Sequence, residues 1–215
     1  MKHYQLYIFD WDGTLMDSIG KIVLSLQNAA ALSQLSIPTA EQVKGIIGAS
    51  LNEAAHMLFP KINDSQKQQL IFHYKDQYLN QNNTPTPLYA NTRQLLTGLK
   101  QQSKTLAVAT GKARVGLEKV MAESNTKHFF TTTRTCDDAH SKPHPQMIEQ
   151  ILDELKVPAS KALMIGDSYY DLEMARNAKV DSLGLTHGAA NFQTLSKCKP
   201  KAIVHSMEEL SKLVL

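Results

Sequence analysis

The sequence predicts an α/β fold: a doubly wound parallel sheet that carries an inserted helical domain. Three observations predict it. Short apolar runs recur along the chain, and most are continuous rather than alternating, as suits strands covered on both faces. From residue 91 onward helical patterns separate these runs, the alternation expected of parallel strands joined by helices. One long segment, from about Asp17 to Asn83, shows helical spacing and no convincing strand.

The first run is Leu6-Tyr7-Ile8-Phe9, read as a buried strand. The helical segment follows at once. Ile19, Ile22, Val23, Leu26 and Ala30 repeat at helical spacing, as do Val43, Ile46 and Ile47, then Leu51, Ala54, Ala55 and Leu58, then Leu70, Tyr74 and Tyr78. Four helices are therefore expected after the first strand. The stretch Asn82 to Pro87, NNTPTP, reads as a linker, since its two prolines oppose helix. The alternation then runs helix Asn91–Lys100, strand Thr105–Ala109, helix Val115–Met121, a weaker strand Phe129–Thr133, helix Met147–Leu155, strand Ala162–Ile165 and helix Leu172–Ala178. The strands Val180–Leu185 and Ala202–Val204 complete it. This divides the chain into an α/β core, residues 1–15 and 84–215, and a helical insert, residues 16–83. A length of 215 residues suits one large domain with a smaller insert.

Composition narrows the function classes. With 42% hydrophobic and 20% charged residues the chain is an ordinary globular one. The net charge of +3 is spread over scattered lysines, with no basic stripe, so no nucleic-acid partner is expected. Cys136 and Cys198 lack CxxC spacing and indicate neither a disulfide scaffold nor a zinc site. No apolar stretch approaches the ~18 residues of a membrane span. Despite Lys2, Asp10 and Asp12 interrupt any signal-peptide core, so the expected location is cytoplasmic, with no membrane partner. The sequons at Asn63 and Asn82 are read as chance matches.

The chemistry gathers where apolar runs end. After LYIF come Asp10 and Asp12, in FDWDGT; after TLAVA come Thr110, Gly111 and Lys112; after ALMI come Gly166, Asp167 and Ser168, with Asp171 one turn on. Singly, each has a plain structural explanation: a turn at the DG pair, a helix cap at the TG and GDS sequences. Together, each behind a buried strand, they point to one crevice, because ligands of open parallel sheets bind at the carboxyl ends of the strands. Two carboxylates as close as Asp10 and Asp12 repel, and a bound cation offsets that. Oxygen ligation by Asp10, Asp12 and Asp167 suits Mg²⁺ with phosphate oxygens. Lys142, in SKPHP, would balance the acidic cluster and hold a phosphate as a point charge.

These four motifs resemble those of the haloacid dehalogenase-like (HAD) hydrolase superfamily, a Rossmann-like fold. DWDGTL at Asp10–Leu15 is similar to its first motif, Thr110-Gly111 to its second, Lys142 to its third, and Gly166–Asp171 to its fourth. The insert resembles the helical cap of the phosphoglycolate phosphatase and β-phosphoglucomutase branch. The resemblance implies Asp10 as nucleophile, forming an aspartyl-phosphate, and Asp12 as general acid and then base, its backbone carbonyl on the metal. It implies Thr110 and backbone N–H groups near Gly111 and Lys112 on the phosphoryl oxygens, and Lys142 orienting Asp10. Asp167 would ligate Mg²⁺, and Asp171 would support it directly or through water. Gly13 would allow the tight exit from the strand and Thr14 would brace the loop. Trp11, Asn91 and Lys179 depart from the usual pattern without touching the chemistry; Asn91 stands where a glycine is expected, and Asn tolerates a left-handed backbone.

The expected activity is therefore a Mg²⁺-dependent phosphatase acting on a small phosphorylated metabolite, as a monomer or homodimer. A phosphomutase is the alternative. A 2-haloacid dehalogenase is disfavoured by Asp12, since such enzymes lack the second aspartate, and a non-enzymatic binding protein would show a damaged constellation. Cap residues Lys44, Asn52, His56 and the turn Ile46–Ser50 are candidates for substrate selection.

Overall fold

The computed structural model describes residues 4–215; Lys2 lies outside the described residues. Six strands form one wholly parallel sheet: β1 (Leu6–Phe9), β2 (Thr105–Ala109), β3 (Thr132–Arg134), β4 (Ala162–Gly166), β5 (Asp181–Leu185) and β6 (Ala202–Val204). Their order is β3-β2-β1-β4-β5-β6. The chain therefore builds outward from β1 to β3, returns to the centre at β4 and builds outward the other way. The reversal lies between β1 and β4, the place where open α/β sheets bind ligands.

Both faces of the sheet are covered, which is why the strands read as unbroken apolar runs. Tyr7, Phe9, Leu106, Val108, Leu163 and Ile165 meet one set of helices: α5 (Thr92–Gln101), α6 (Arg114–Glu123) and α10 (Met207–Val214). The alternate residues Leu6, Ile8, Ala107, Ala109, Ala162 and Met164 meet α7 (Gln146–Leu155) and α8 (Tyr169–Asn177). Most of the predicted elements stand within a few residues of their expected places. The weak strand is displaced: Lys127–Phe129 is a 3₁₀ turn that buries Phe129, and the strand is Thr132–Arg134. Two helices went unpredicted, α9 (Phe192–Ser196) and α10. Asn91 adopts the left-handed backbone, φ +65°, immediately before α5.

Between β1 and α5 the chain is helical: α1 (Ile19–Leu32), α2 (Ala40–Lys44), α3 (Leu51–Leu58) and α4 (Asp64–Asp76). The helix expected around Val43–Ile47 stops at Lys44. The last helix passes into a π-helical turn, Gln77–Gln81. This segment has an apolar cluster of its own, including Ile22, Leu26, Val43, Ala55 and Leu70. Its two connections to the sheet run side by side. Met16 bridges Leu88 in antiparallel fashion, and the Asp17 and Tyr89 amides donate to the Pro87 and Leu15 carbonyls at 2.8 and 3.0 Å.

Candidate active site

Register places the chemistry. Phe9 pairs with Val108 on one side and with Ile165 on the other, so the three strands end level with one another. Asp10, Thr110 and Asp167 therefore emerge together at the carboxyl edge of the central strands, and all three are buried. The Asp10 amide continues the ladder, donating to the Ile165 carbonyl at 2.9 Å, so the Asp10 backbone is fixed by the sheet.

Asp10, Asp167 and Asp171 form an acidic cluster whose nearest oxygens lie within 4.8 Å of one another. Lys142 enters it from the loop before α7, and its Nζ donates to Asp10 Oδ1 and Asp171 Oδ1, each at 2.6 Å. Asp171 Oδ2 also accepts from the Ser168 amide and hydroxyl, at 3.0 and 2.7 Å, in the capping box that opens α8. Asp167 accepts from the Thr14 hydroxyl at 2.6 Å and the Ala189 amide at 2.7 Å. Its carboxylate lies in a slot between two glycines. A Cβ on Gly13 would stand 2.2 Å from Asp167 Oδ2, and one on Gly188 would stand 2.1 Å away. Gly13 is also at φ +83°, a second reason for glycine there.

One ammonium cannot compensate three buried carboxylates. Burial, followed by the charge of Asp171, pushes Asp10 up to about 7, although Lys142 pulls the other way. Burial, followed by the charges of Asp171 and Asp10, raises Asp167 well above the usual carboxylate range. Burial alone would lower the Lys142 ammonium, but Asp10 and Asp171 outweigh it and hold Lys142 charged. The cluster is short of positive charge and presents only oxygen donors, which is the donor chemistry of a Mg²⁺ site.

Asp12 stands apart: its side chain is not in the acidic cluster. Ser18 donates to Asp12 Oδ1 at 2.7 Å and Lys112 Nζ lies 3.0 Å from Oδ2. Thr110 faces the same cleft, its Oγ1 accepting from the Lys112 amide at 3.2 Å. Gly111 permits a close approach of the helical segment: a Cβ there would meet the Gly48 and Ala49 carbonyls at 2.6 and 2.9 Å. The Lys112 side chain leaves this loop toward the helical segment, reaching Asp12 and the Tyr78 hydroxyl.

A cleft of about 800 Å³ opens between sheet edge and helices, bounded by Asp10, Asp12, Thr110 and Lys112 below and by Ile22, Ile46, Ile47, Tyr74 and Tyr78 above. Ser50 ties the two sides, its amide donating to Ser141 Oγ at 2.8 Å. Asn52 and the Ile46–Ser50 turn line this cleft. Lys44 and His56 do not: Lys44 pairs with Glu41 at 3.1 Å, and His56 lies 3.4 Å from Lys67 Nζ, both on the outside of their helices. Their sequence positions beside the turn gave no sign of which helix face they occupy. Ser18 and Gly188 went unnoticed in the sequence, while Ser168 was read only as part of a possible cap and Tyr78 only as a helical position; a lone serine, tyrosine or glycine carries no local signal of such a role.

Fold and site together define a hydrolase with an aspartate-centred site at the switch point of an α/β sheet. The haloacid dehalogenase-like hydrolase model matches residues 7–185, and the chain belongs to that family. It is 30% identical over 213 residues to the protein named Probable phosphatase IndB of Dickeya dadantii, covering 95% of this chain and 91% of that one. It is 26% identical to a phosphoglycolate phosphatase of Vibrio cholerae, covering 100% and 99% of the two chains. A pyrophosphatase of Bacillus cereus, PpaX, is 28% identical over 94% of this chain and 93% of its own. Among solved structures, a haloacid dehalogenase-like hydrolase from Bacteroides fragilis superposes with a TM-score of 0.89 at 26% identity, over 96% and 99% of the chains. No helix among the described residues is long and apolar enough to cross a membrane.

Proposed function

We propose that this hydrolase is a Mg²⁺-dependent phosphatase of small phosphate monoesters that works through an aspartyl-phosphate on Asp10. The observation that carries the reading is the acidic cluster of Asp10, Asp167 and Asp171, in which Asp10 and Asp171 share the Lys142 ammonium, beside Thr110 and Asp12. The phosphatase names of three relatives agree with it.

Asp10, Asp167 and Asp171, with the Asp12 carbonyl, would hold Mg²⁺, which when bound neutralises charge on the phosphoryl oxygens. The chain's own groups do the rest. Lys142 fixes Asp10 Oδ1 and leaves the other carboxylate oxygen for attack on phosphorus. As that P–O bond forms, the bond to the ester oxygen breaks, and its electron pair goes to the leaving oxygen, which takes a proton from Asp12. The Thr110 hydroxyl and the amides that follow it hold the phosphoryl oxygens. Water then attacks phosphorus, gives its proton to Asp12, and releases phosphate from Asp10. The helical segment covers the cleft, keeping bulk water from the intermediate. The substrate is a small phosphorylated metabolite, with no role for nucleic acid or membrane, in a cytoplasmic monomer or homodimer.

The test is phosphate release from an aryl phosphate and a panel of small monoesters, with Mg²⁺ and with EDTA. Turnover that requires Mg²⁺ and is abolished in a folded Asp10→Asn variant is expected. Turnover that persists in Asp10→Asn would remove the nucleophile assignment. No phosphate release, together with isomerisation of a sugar monophosphate primed by a sugar bisphosphate, would replace the phosphatase with a mutase.

A further inference from the structure

Lys112 makes three contacts that bind no phosphate. Its Nζ lies 3.0 Å from Asp12 Oδ2, donates to the Tyr78 hydroxyl at 3.1 Å, and stands 4.6 Å from the centre of the Tyr78 ring. Burial alone would lower this ammonium; the Asp12 carboxylate outweighs it and keeps Lys112 charged. Tyr78 belongs to the helical segment, in the π-helical turn Gln77–Gln81 at the end of α4, and its ring stacks on Tyr74 at 5.8 Å. Single π-helical turns are frequent at functional sites. Lys112 therefore links the sheet side and the helical side of the cleft through one carboxylate.

Two contacts fix the orientation of the Asp12 carboxyl group. A lysine ammonium has three donors and no acceptor, so Asp12 Oδ2 accepts from it. Oδ1 accepts from Ser18. The plane of the Asp12 carboxyl group is therefore fixed from two sides, from Ser18 at one oxygen and from Lys112 at the other.

We propose that Lys112, clamped by Tyr78, is a positioning residue for Asp12 in the second half of the reaction, when Asp12 takes the proton of the water that cleaves the aspartyl-phosphate. This rests on the proposed phosphatase chemistry. Because Tyr78 lies on the helical segment, the clamp is complete only when that segment covers the cleft. Hydrolysis of the intermediate is thereby tied to closure, and so is the first transfer wherever the leaving oxygen needs the proton of Asp12.

An aryl phosphate isolates that step, since p-nitrophenolate leaves without a proton. Wild type, Lys112→Met, Lys112→Arg and Tyr78→Phe are compared on p-nitrophenyl phosphate by steady-state kinetics, with acid-quenched phosphoenzyme measured during turnover. In Lys112→Met, kcat and KM should fall together by ~10–100-fold, less than the ~10²–10⁴-fold that loss of the general base itself costs, because Asp12 remains. The ratio kcat/KM, which reads ester capture and the first transfer, should stay within about threefold, and phosphoenzyme should accumulate. Tyr78→Phe should move in the same direction by less, and Lys112→Arg should recover part of kcat. A fall in kcat/KM that matches the fall in kcat, without accumulated phosphoenzyme, would overturn the proposal and assign Lys112 to phosphate capture. Unchanged kcat would overturn it too. Should Lys112→Met fail to fold, Tyr78→Phe, which removes one hydroxyl, decides by the same two readouts. Absence of turnover in the wild type would instead count against the phosphatase reading itself.

Discussion

Gly188→Ala adds one methyl group and removes no functional atom, yet it should disable the enzyme. The added Cβ would lie 2.1 Å from Asp167 Oδ2, 2.4 Å from Asp167 Cγ and 2.4 Å from the Gly13 carbonyl oxygen. Ordinary contact begins near 3.4 Å, so the carboxylate must retreat by about 1.3 Å. Retreat is limited because the same oxygen also lies close to Gly13, where a Cβ would stand 2.2 Å from it, and the Gly13 backbone is tied through its amide to the Met16 carbonyl at 2.9 Å. Asp167 can move only by giving up its bonds from the Thr14 hydroxyl and the Ala189 amide, at 2.6 and 2.7 Å. Displacements of about 1 Å in a catalytic array cost on the order of 10²-fold in rate. Overpacking of this kind costs ~1–3 kcal/mol of stability. The assay is kcat/KM for phosphate release across a Mg²⁺ titration, with the melting temperature measured alongside. The expected result is a loss of ~10²-fold and a demand for more Mg²⁺, in a protein that still folds. Activity within threefold of wild type, with an unchanged Mg²⁺ requirement, would refute both the two-glycine slot and the place of Asp167 in the metal site.

Other outcomes follow from the same geometry. Asp12→Asn keeps the size of the side chain but cannot accept a proton, and should slow turnover by ~10²–10⁴-fold. Lys142→Met removes the cation that, among the described residues, touches both Asp10 and Asp171. Breaking a buried pair in this way costs ~3–5 kcal/mol, and chemical denaturation at neutral pH should show a loss of that order that is smaller at saturating Mg²⁺. Mg²⁺ at a hundred times its dissociation constant should stabilise the wild type by ~2.7 kcal/mol, readable as a rise in melting temperature of about 5–10 °C. The stability of metal-free protein should also depend on pH. Asp10 is raised from 3.8 to about 7, chiefly by burial, so the folded chain binds its proton more tightly than the unfolded chain does. Stability should therefore fall as pH rises through this window, and the increment from Mg²⁺ should grow over the same range. A Mg²⁺ increment that is flat between pH 4 and 7 would contradict this.

The sheet was legible because buried parallel strands have a simple signature: a short continuous apolar run, then the polar residues that end it. Asp10, Thr110 and Asp167 were legible for the same reason. A strand end is a position that can be counted in sequence, and the parallel register turns equal positions into neighbours. Lys142 was legible only through its SKPHP setting. The small helices α9 and α10 lie after the motifs and are short, five and eight residues, so their apolar positions span too few turns to show a period, and their clearest signals are caps: Asn191 accepting from the Thr194 amide, Ser206 from that of Glu209. The strand around Phe129 was misplaced because a bulky apolar residue buries equally well from a turn.

The parts that were not legible share one physical property: they depend on how two separately patterned segments meet. Tyr78 counts as one more apolar position on α4 until the π-helical turn is known, because only that turn brings its hydroxyl to Lys112. Gly188 reads as a loop glycine until the Asp167 carboxylate is found against it. Ser18 reads as the residue before a helix, yet its hydroxyl bonds Asp12 rather than the helix it precedes. In each case the group that performs chemistry comes from a motif, while the group that aims it comes from an ordinary position on another element. Replacing a motif residue should therefore remove a reaction step outright. Replacing a partner residue should redistribute rate between steps, which is why the kcat and KM split at Lys112 and Tyr78 is more informative than loss of activity at Asp10.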